Sequence, residues 1–288
     1  KNMAILYRTN AQSRVFEESF MIKNIPYRIV GGTNFYQRKE VKDILSYLKV
    51  VDNGLDDLAV RRIINVPRRG IGAATIEKIN VYAVEHNISF LDACFSADSI
   101  DTLGNAKKKI NGFADLIREF RRKMQEGSLE ELFKYITDET GYIANLKAEE
   151  TEEAEGRIEN INELLNKVVI YEQEAEEASL SELLEEIALV ADIDNLEDSD
   201  NRVVLMTLHS AKGLEYENVY IIDVNEGVMP YKKAVLEPEV EEERRMFYVG
   251  MTRAKKNLHL FSVRQLNHKD AEISRFIKEA QPPEKKKD

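Results

Sequence analysis

The chain has 288 residues, of which 43% are hydrophobic and 32% are charged, and its formal net charge is -11; these values predict one large or two ordinary domains with packed cores. No apolar run approaches the roughly 20 residues of a membrane span, and no signal peptide is recognisable at Lys1, so we expect a cytoplasmic protein without membrane contacts. The single cysteine, Cys94, excludes an internal disulfide, and the four scattered histidines lack metal-ligand spacing, so we expect no metal site.

The first predicted elements are two strands around a helix. We predict a strand at Met3 to Tyr7, a helix at Ala11 to Lys23 and a short strand at Tyr27 to Val30, which ends at the Gly31-Gly32 turn. From Lys39 to about Ala191 the apolar residues recur at helical spacing almost without interruption.

Strands return only after this helical stretch. We predict strands at Arg202 to Leu208, Val219 to Val224 and Leu258 to Val263, with a helix at Val240 to Lys255. A helical block between strands of one sheet is typical of an inserted domain. We therefore expect an insertion at residues 29–200, a host sheet formed by residues 1–28 and 201–277, and a disordered charged tail at residues 278–288.

The negative charge is concentrated in one segment. Residues 149–200 hold 19 acidic and 2 basic side chains, whereas the other 236 residues hold 33 acidic and 39 basic ones. Apolar residues recur at helical spacing from Ile158 to Val168 and from Leu180 to Ala191. This pattern predicts two amphipathic helices with a solvated acidic face. A surface for a specific basic partner is the alternative.

Two blocks near the C-terminus carry the most specific signal: Val203-Val-Leu-Met-Thr-Leu-His-Ser-Ala-Lys-Gly-Leu-Glu-Tyr216 and Glu241-Glu-Glu-Arg-Arg-Met-Phe-Tyr-Val-Gly-Met-Thr-Arg-Ala254. In content and order they resemble the last two signature motifs of the UvrD/Rep/PcrA family of superfamily 1 DNA helicases. The resemblance extends over nearly all of residues 1–277. It implies an α/β fold: an incomplete RecA-like, P-loop NTPase-type parallel-sheet domain, called 2A in the family, with a large all-helical inserted domain, called 2B.

Other motifs of that family are missing from these 288 residues. There is no Gly-x-x-x-x-Gly-Lys-Ser/Thr loop, whose N–H groups and lysine cradle phosphates. The resemblance therefore implies the C-terminal portion of an ATP-dependent 3′–5′ DNA helicase, whose full-length form uses ATP with Mg²⁺. We expect this chain alone to be inactive and to bind no cofactor stably.

The resemblance also implies the partners. They are single-stranded DNA, single-strand/duplex junctions and the N-terminal motor domains of the same polypeptide, while protein partners stay unidentified. The alternative is a non-enzymatic DNA- or protein-binding regulatory module that carries vestigial helicase motifs.

Three residues match nucleotide contacts of the family. Arg253 matches the arginine finger, whose planar charged fork stabilises the transferring phosphoryl group; without the motif it would be a helix C-terminal arginine. Glu215 matches the carboxylate that accepts a hydrogen bond from the ribose. Gly213 lets the preceding loop bend or approach a ligand closely, or simply forms a turn.

Four residues match single-strand contacts. Thr207 and His209 lie at the carboxyl end of a predicted strand, where open α/β sheets place their ligands. Asn10 and the nearby Arg8 follow the first strand and suit phosphate contact at a helix N-terminus. The alternative role for Asn10 is that of an N-cap.

The helical block contains a candidate duplex contact. Gly70-Ile71-Gly72 exposes consecutive N–H groups before a helix, which is a sequence-independent phosphate site. It resembles the duplex contact of the family, with Thr75 beside it and Arg68 and Arg69 before it, and Lys42 matches a second contact. Without the resemblance, a helix cap and a solvated basic face would explain the same residues.

Overall fold

A computed structural model describes residues 2–193, 201–266 and 269–280. The chain divides into two compact units, one formed by residues 1–35 with 193–288 and the other by residues 36–192. We call them the sheet unit and the helical unit. The helical unit is shorter than the insertion expected at residues 29–200, because the turn after the second strand stays with the sheet: Phe35 N donates to the buried carboxylate of Glu17 over 2.9 Å.

The described strands are few and short. Five of them form one sheet, and two more form a small hairpin. In chain order they are β1 Met3–Tyr7, β2 Tyr27–Val30, β3 Val203–Thr207, β4 Tyr216–Ile221, β5 Ala254–Leu260, β6 Gln265–Leu266 and β7 Lys269–Asp270.

Helices make up most of the described chain, and none of those in the described ranges is long and apolar enough to cross a bilayer. In chain order they are α1 Ser13–Ile22, α2 Lys39–Asp52, α3 Asp57–Ile63, α4 Ala73–His86, α5 Phe90–Phe95, α6 Lys107–Met124, α7 Leu129–Glu139, α8 Tyr142–Lys147, α9 Glu152–Glu174, α10 Leu180–Ile193, α11 Glu237–Met251 and α12 Arg275–Ala280. Residues 278–280, expected in a tail, belong to α12; residues 281–288 lie outside the described ranges.

All neighbours in the main sheet are parallel, in the order β2-β3-β1-β4-β5. Successive side chains of a strand point to opposite faces, so β1 supplies two cores. Leu6 faces a core that includes Phe247 of α11 and Phe276 of α12. Ile5 faces the other core, against which Phe16 of α1 packs. The predicted α/β fold with a parallel sheet is confirmed.

The element bounds near the C-terminus differ from those predicted. The helix expected at Val240 to Lys255 starts earlier and ends at Met251, because the next residues enter the sheet: Tyr216 N donates to Arg253 O over 2.9 Å. Strand β5 starts at Ala254 rather than Leu258. Strand β5 is the outermost strand of the sheet, and most of its side chains are exposed. Its first half is therefore polar, and no apolar pattern indicates a strand there.

The helical unit is organised around α2, which packs against α3, α6 and α9. The Asp43 carboxylate is buried in this helix and accepts hydrogen bonds from Tyr142 Oη and Arg62 Nε, both over 2.7 Å. Cys94 is fully buried in α5, and burial raises the pKa of its thiol to about 12.

The two amphipathic helices predicted in the acidic segment are α9 and α10. Each buries an apolar stripe that includes Leu164 and Val168 in α9, and Leu183 and Ile187 in α10. Their glutamates include exposed ones at the start of α9, where carboxylates interact favourably with the helix dipole.

Gly250 of α11 provides a test of the sheet packing. A methyl group there would overlap Leu208 Cδ2 and lie 3.4 Å from Ile221 Cδ1. Overpacking costs about 1–3 kcal/mol, which exceeds the helix-propensity gain of about 1 kcal/mol. We expect Gly250→Ala to lower the free energy of unfolding, as measured by chemical denaturation.

Gly112 is the matched control, because it also lies inside a helix but is exposed and has open space around it. Gly112→Ala should raise stability by about 0.5–1 kcal/mol. Stabilisation by both substitutions would contradict the tight contact between α11 and the loop after β3.

Candidate functional site

The predicted site residues of the sheet unit lie at two opposite edges of the sheet. Because the strands are parallel, their carboxyl ends share one edge and their amino ends share the other. Arg8, Asn10, Thr207 and His209 end or follow β1 and β3, so they lie at the carboxyl edge. Glu215 and Arg253 immediately precede β4 and β5, so they lie at the amino edge.

At the amino edge the structure brings Arg253 and the loop before β4 together. The guanidinium donates from Nη1 to Leu214 O over 3.3 Å, from Nε to Val249 O over 2.9 Å and from Nη2 to Thr252 Oγ1 over 3.0 Å. The fork is thus held between the last turn of α11 and the peptide next to Glu215. Three of its five N–H groups are engaged within the described chain.

The loop residues at this edge are open. Gly213 adopts a φ of +82°, and a Cβ there would meet nothing within 4 Å. The Glu215 side chain is 55% exposed and forms an ion pair with Lys255 Nζ at 3.1 Å. An exposed ion pair of this kind is weak, worth about 0–1 kcal/mol, so the carboxylate can exchange this partner for a ligand.

At the carboxyl edge three loops meet. Thr207 Oγ1 donates to Ser210 Oγ over 3.0 Å and accepts from Ser210 N over 3.2 Å, which fixes the short turn that starts at His209. Gly31, with a φ of +77°, follows β2 and passes so close to Ser210 that a Cβ would overlap its hydroxyl. His209 and Asn10 are exposed beside this contact.

Asn10 is not the N-cap of the following helix, which was the alternative role for it. It is the first residue of a short 3-10 turn, and Thr9 occupies the cap position. Gln12 closes this turn: its Oε1 accepts from Arg8 N over 3.0 Å and from Thr9 N over 2.9 Å, and its Nε2 donates to Asp223 Oδ2 over 2.7 Å.

Arg8 points inward to a carboxylate. Its Nε lies 3.1 and 3.0 Å from the two carboxylate oxygens of Glu243, and its Nη2 lies 2.8 Å from Oε1. Glu243 is buried in α11. A bidentate charged pair is the strongest geometry for this type of contact, so the structure places the guanidinium on a protein partner rather than at the surface.

In the helical unit Gly70-Ile71-Gly72 forms a turn before α4, but the Ile71 N–H, expected to be exposed, is bonded within the loop. Asn65 Oδ1 accepts from Arg69 N over 2.8 Å and from Ile71 N over 3.1 Å, and Ile71 is buried. The turn ends at Gly72, the N-cap of α4, so the N–H groups of Ala73 and Ala74 precede the first hydrogen bonds of the helix. Thr75 N donates back to Gly72 O over 3.0 Å.

Arg69 does not have the role expected from its position. Its Nη1 donates to Ile63 O over 2.9 Å and to Val66 O over 3.2 Å, and its Nη2 donates to Tyr47 Oη over 2.6 Å. The guanidinium therefore holds the loop together from inside. Arg68 is exposed, so it is the arginine of this turn that can reach a phosphate.

Lys42 lies in a different setting. It lines a cavity of about 330 Å³ whose other walls include Lys49 of α2, Arg62 of α3 and Leu184 of α10. Within the described residues it makes no hydrogen bond with the 70–75 turn. The second duplex contact at Lys42 stays a prediction.

Two residues near these sites were missed at the level of sequence. Lys109 Nζ donates to Gly70 O over 2.9 Å, a contact across 39 positions that no local pattern indicates. Glu243 could have been predicted from the sequence, because it lies at helical spacing with Val240, Phe247 and Gly250 on the buried face of α11. A carboxylate at helical spacing among apolar residues requires a buried partner.

Comparison with known proteins identifies the family. The UvrD-like helicase C-terminal domain family matches residues 1–265. The chain is 44% identical over 266 residues to ATP-dependent DNA helicase PcrA of Bacillus subtilis (strain 168) and 43% identical over 265 residues to the protein of the same name from Staphylococcus aureus (strain Mu50). Each match covers 90% of this chain and 36% of the relative, so the chain spans about a third of their length.

These matches confirm the resemblance inferred from the two C-terminal motifs. They extend through both blocks and through the helical unit between the strands. The chain belongs to the UvrD-like helicase C-terminal domain family.

Proposed function

We propose that this chain is the C-terminal portion of an ATP-dependent 3′–5′ DNA helicase, with the sheet unit as domain 2A and the helical unit as domain 2B. The observation that carries the proposal is the pairing of Arg253 with the Leu214-Glu215 peptide at the amino edge. Glu215 and Arg253 both match nucleotide contacts of the family, and they lie beside each other in the fold although 38 positions separate them in sequence.

At the amino edge, Arg253 would act as the arginine finger. Its guanidinium is positioned by two backbone carbonyls and keeps donors for the γ-phosphate. A fixed cation there stabilises charge that develops during transfer, without reorganisation at that moment. Glu215 would accept a hydrogen bond from the ribose. Mg²⁺, when bound with ATP, neutralises charge on the phosphates.

At the carboxyl edge, Asn10, Thr207 and His209 would contact the backbone of single-stranded DNA. They come from two neighbouring strands and lie around the contact of Gly31 with Ser210. Short polar side chains and loop N–H groups at such an edge suit phosphate contact without reading sequence. Arg8, held by Glu243, would support this loop rather than contact the strand.

In the helical unit, the Gly70-Ile71-Gly72 turn and Thr75 would dock duplex DNA at a junction. Open N–H groups at the start of α4 bind phosphate oxygens in any sequence. Arg68 adds a cation nearby, and Lys42 would contribute a separate contact. The N-terminal motor domains of the same polypeptide would complete the nucleotide cleft.

A second candidate function is a non-enzymatic regulatory module in which Arg253 is only a helix-end residue. One observation favours it: Arg253 Nε donates to Val249 O, a carbonyl of the last turn of α11. Substitution of Arg253 separates the two functions, because a helix-end arginine has no part in ATP turnover.

The chain alone should have no ATPase activity, because it lacks a phosphate-binding loop in its 288 residues. Purified chain should show background turnover both with and without single-stranded DNA, measured by phosphate release. Robust hydrolysis that follows the protein through purification would show that the nucleotide site is not shared with other domains.

In the full-length parent, Arg253→Ala should preserve folding and single-strand binding but abolish most ATP turnover. Arginine fingers contribute roughly 10³–10⁵ in rate in well-studied phosphoryl transfer. Arg253→Lys should rescue little, since a point charge on a flexible stem does not reproduce the planar fork. Steady-state kinetics at saturating ATP and DNA measures kcat directly.

Glu215→Ala is the comparison variant at the same edge. It should raise the KM for ATP more than it lowers kcat, because a ribose contact is equally strong in the ground and transition states. Near-normal turnover in Arg253→Ala would assign this residue to the end of α11 and would refute the proposed finger.

Duplex binding by the helical unit is tested at Gly72. This residue has an extended backbone with a φ of -95° and open space at its Cβ, so Gly72→Leu changes the surface without strain. Gly70 is less suitable, since its φ of +72° and its contact with Lys109 make substitution disruptive. We expect Gly72→Leu to weaken sequence-independent duplex binding.

Fluorescence anisotropy over a salt series measures this binding, whose log-log slope should be about -0.9 per neutralised phosphate. Gly156→Leu is the control: it is also open, but it lies on α9, which packs against α2, α7 and α8. If a folded Gly72→Leu variant binds duplex as tightly as this control, the turn is purely structural.

A further inference from the structure

A largely buried ion pair joins the carboxyl-edge loop to the helix that precedes Arg253. The side chains of Arg8 and Glu243 are only 19% and 10% exposed. Tyr231 N donates to Glu243 Oε2 over 3.1 Å, and the Tyr231 ring lies 5.1 Å from Arg8 Cζ. Both oxygens of this carboxylate are therefore occupied, and one face of the guanidinium is covered.

The loop that contains Arg8 is held by further hydrogen bonds besides this ion pair. Gln12 binds the N–H groups of Arg8 and Thr9 and is itself anchored to Asp223 at the end of β4. Asn10, the predicted strand contact, lies inside this loop and accepts from Ser13 Oγ through its backbone oxygen over 2.9 Å. Asn10 and Arg8 therefore belong to one hydrogen-bonded loop.

Helix α11 connects the pair to the opposite edge of the sheet. From Glu243 to Met251 the helix continues without a break and rises about 12 Å at 1.5 Å per residue. Gly250 packs against Leu208 and Ile221 at its end, and Val249 O accepts from Arg253 Nε. The same rigid helix thus carries Glu243 at one edge and positions Arg253 at the other.

We infer that Glu243 is a positioning residue that couples strand binding at the carboxyl edge to the orientation of Arg253, through its ion pair with Arg8. The inference rests on the proposed helicase function and adds the route by which single-stranded DNA stimulates ATP turnover. Arg8 is then a coupling residue and not a phosphate ligand. Loss of one partner of a buried pair leaves an uncompensated charge, which loosens the contact between loop and helix.

The test uses the full-length parent and the ratio of ATP turnover with single-stranded DNA to turnover without it. Glu243→Gln keeps the shape of the side chain and removes its charge. We expect the ratio to fall at least about fivefold, the lower end of typical coupling between sites. Single-strand affinity, measured by anisotropy with an oligothymidine, should change little, because neither member of the pair contacts the strand.

Glu242→Gln is the matched control. Glu242 is the adjacent residue of the same helix, and its pair with Arg245 is exposed, with side chains 73% and 72% accessible. Its substitution should leave the ratio unchanged. An equal fall in both variants would overturn the inference, and so would an unchanged ratio in a folded Glu243→Gln protein.

Two further variants separate coupling from folding. Arg8→Lys keeps the charge but loses the bidentate contact with Glu243, so it should also lower the ratio of DNA-stimulated to basal ATP turnover. This variant tests the inference even if Glu243→Gln fails to fold. The exchange Arg8→Glu with Glu243→Arg should restore part of the ratio. Asn10→Ala, at the proposed strand contact, should lower single-strand affinity and serves as the reference. If Arg8→Lys lowers that affinity by as much, Arg8 is a phosphate ligand and the inference is wrong. Absence of DNA-stimulated turnover in the unmodified parent would refute the proposed function itself.

Discussion

The parallel direction of all five strands is the constraint on which the sheet unit depends. A connection between two parallel strands of one sheet must return from the carboxyl edge to the amino edge. Strands β3 and β4 are parallel and flank β1, so residues 208–215 make this return, and Leu208 packs against Gly250 of α11. This crossing divides one sequence block between two places: Thr207 and His209 lie at one edge, and Glu215 lies at the other.

Polar contacts then fix each edge independently of the apolar core. At the amino edge, backbone carbonyls of Leu214 and Val249 hold Arg253. At the carboxyl edge, side-chain groups of Gln12 and Ser210 close the loops. Loops held by hydrogen bonds on a rigid sheet keep their geometry while staying open to ligands, which suits contacts that form and break during turnover.

In the helical unit, the polar side chains of the turn before α4 bind the loop backbone instead of staying open. The side chains of Arg69 and Asn65 form hydrogen bonds with backbone groups of residues 63–71, and the Ile71 side chain is buried. What the turn presents outward is therefore the start of α4 and the exposed Arg68 rather than a cluster of side chains. Such a surface suits the sequence-independent phosphate contact that we propose for it.

The sequence by itself determined the succession of strands and helices and the helical character of the insertion, because these follow from the local apolar period and turn residues. The resemblance of its two C-terminal motifs supplied the RecA-like fold class. Leu183 and Ile187 lie on the buried stripe of α10 that their spacing predicts. The two C-terminal motifs also identified Arg253 and Glu215 as candidate nucleotide contacts, although neither residue is distinctive outside its motif. The polar start of β5 at Lys255 escaped prediction because an edge strand needs no apolar alternation.

Only the tertiary structure decided which charged residues face solvent and which face the protein. Arg8 pairs with Glu243 across 235 positions, and Arg69 bonds carbonyls and a tyrosine hydroxyl, while Arg68 beside it stays exposed. In the sequence all three are basic residues in polar loops. Their roles diverge because burial makes an unpaired charge costly, and the fold supplies a partner for two of them but not for Arg68 within the described residues.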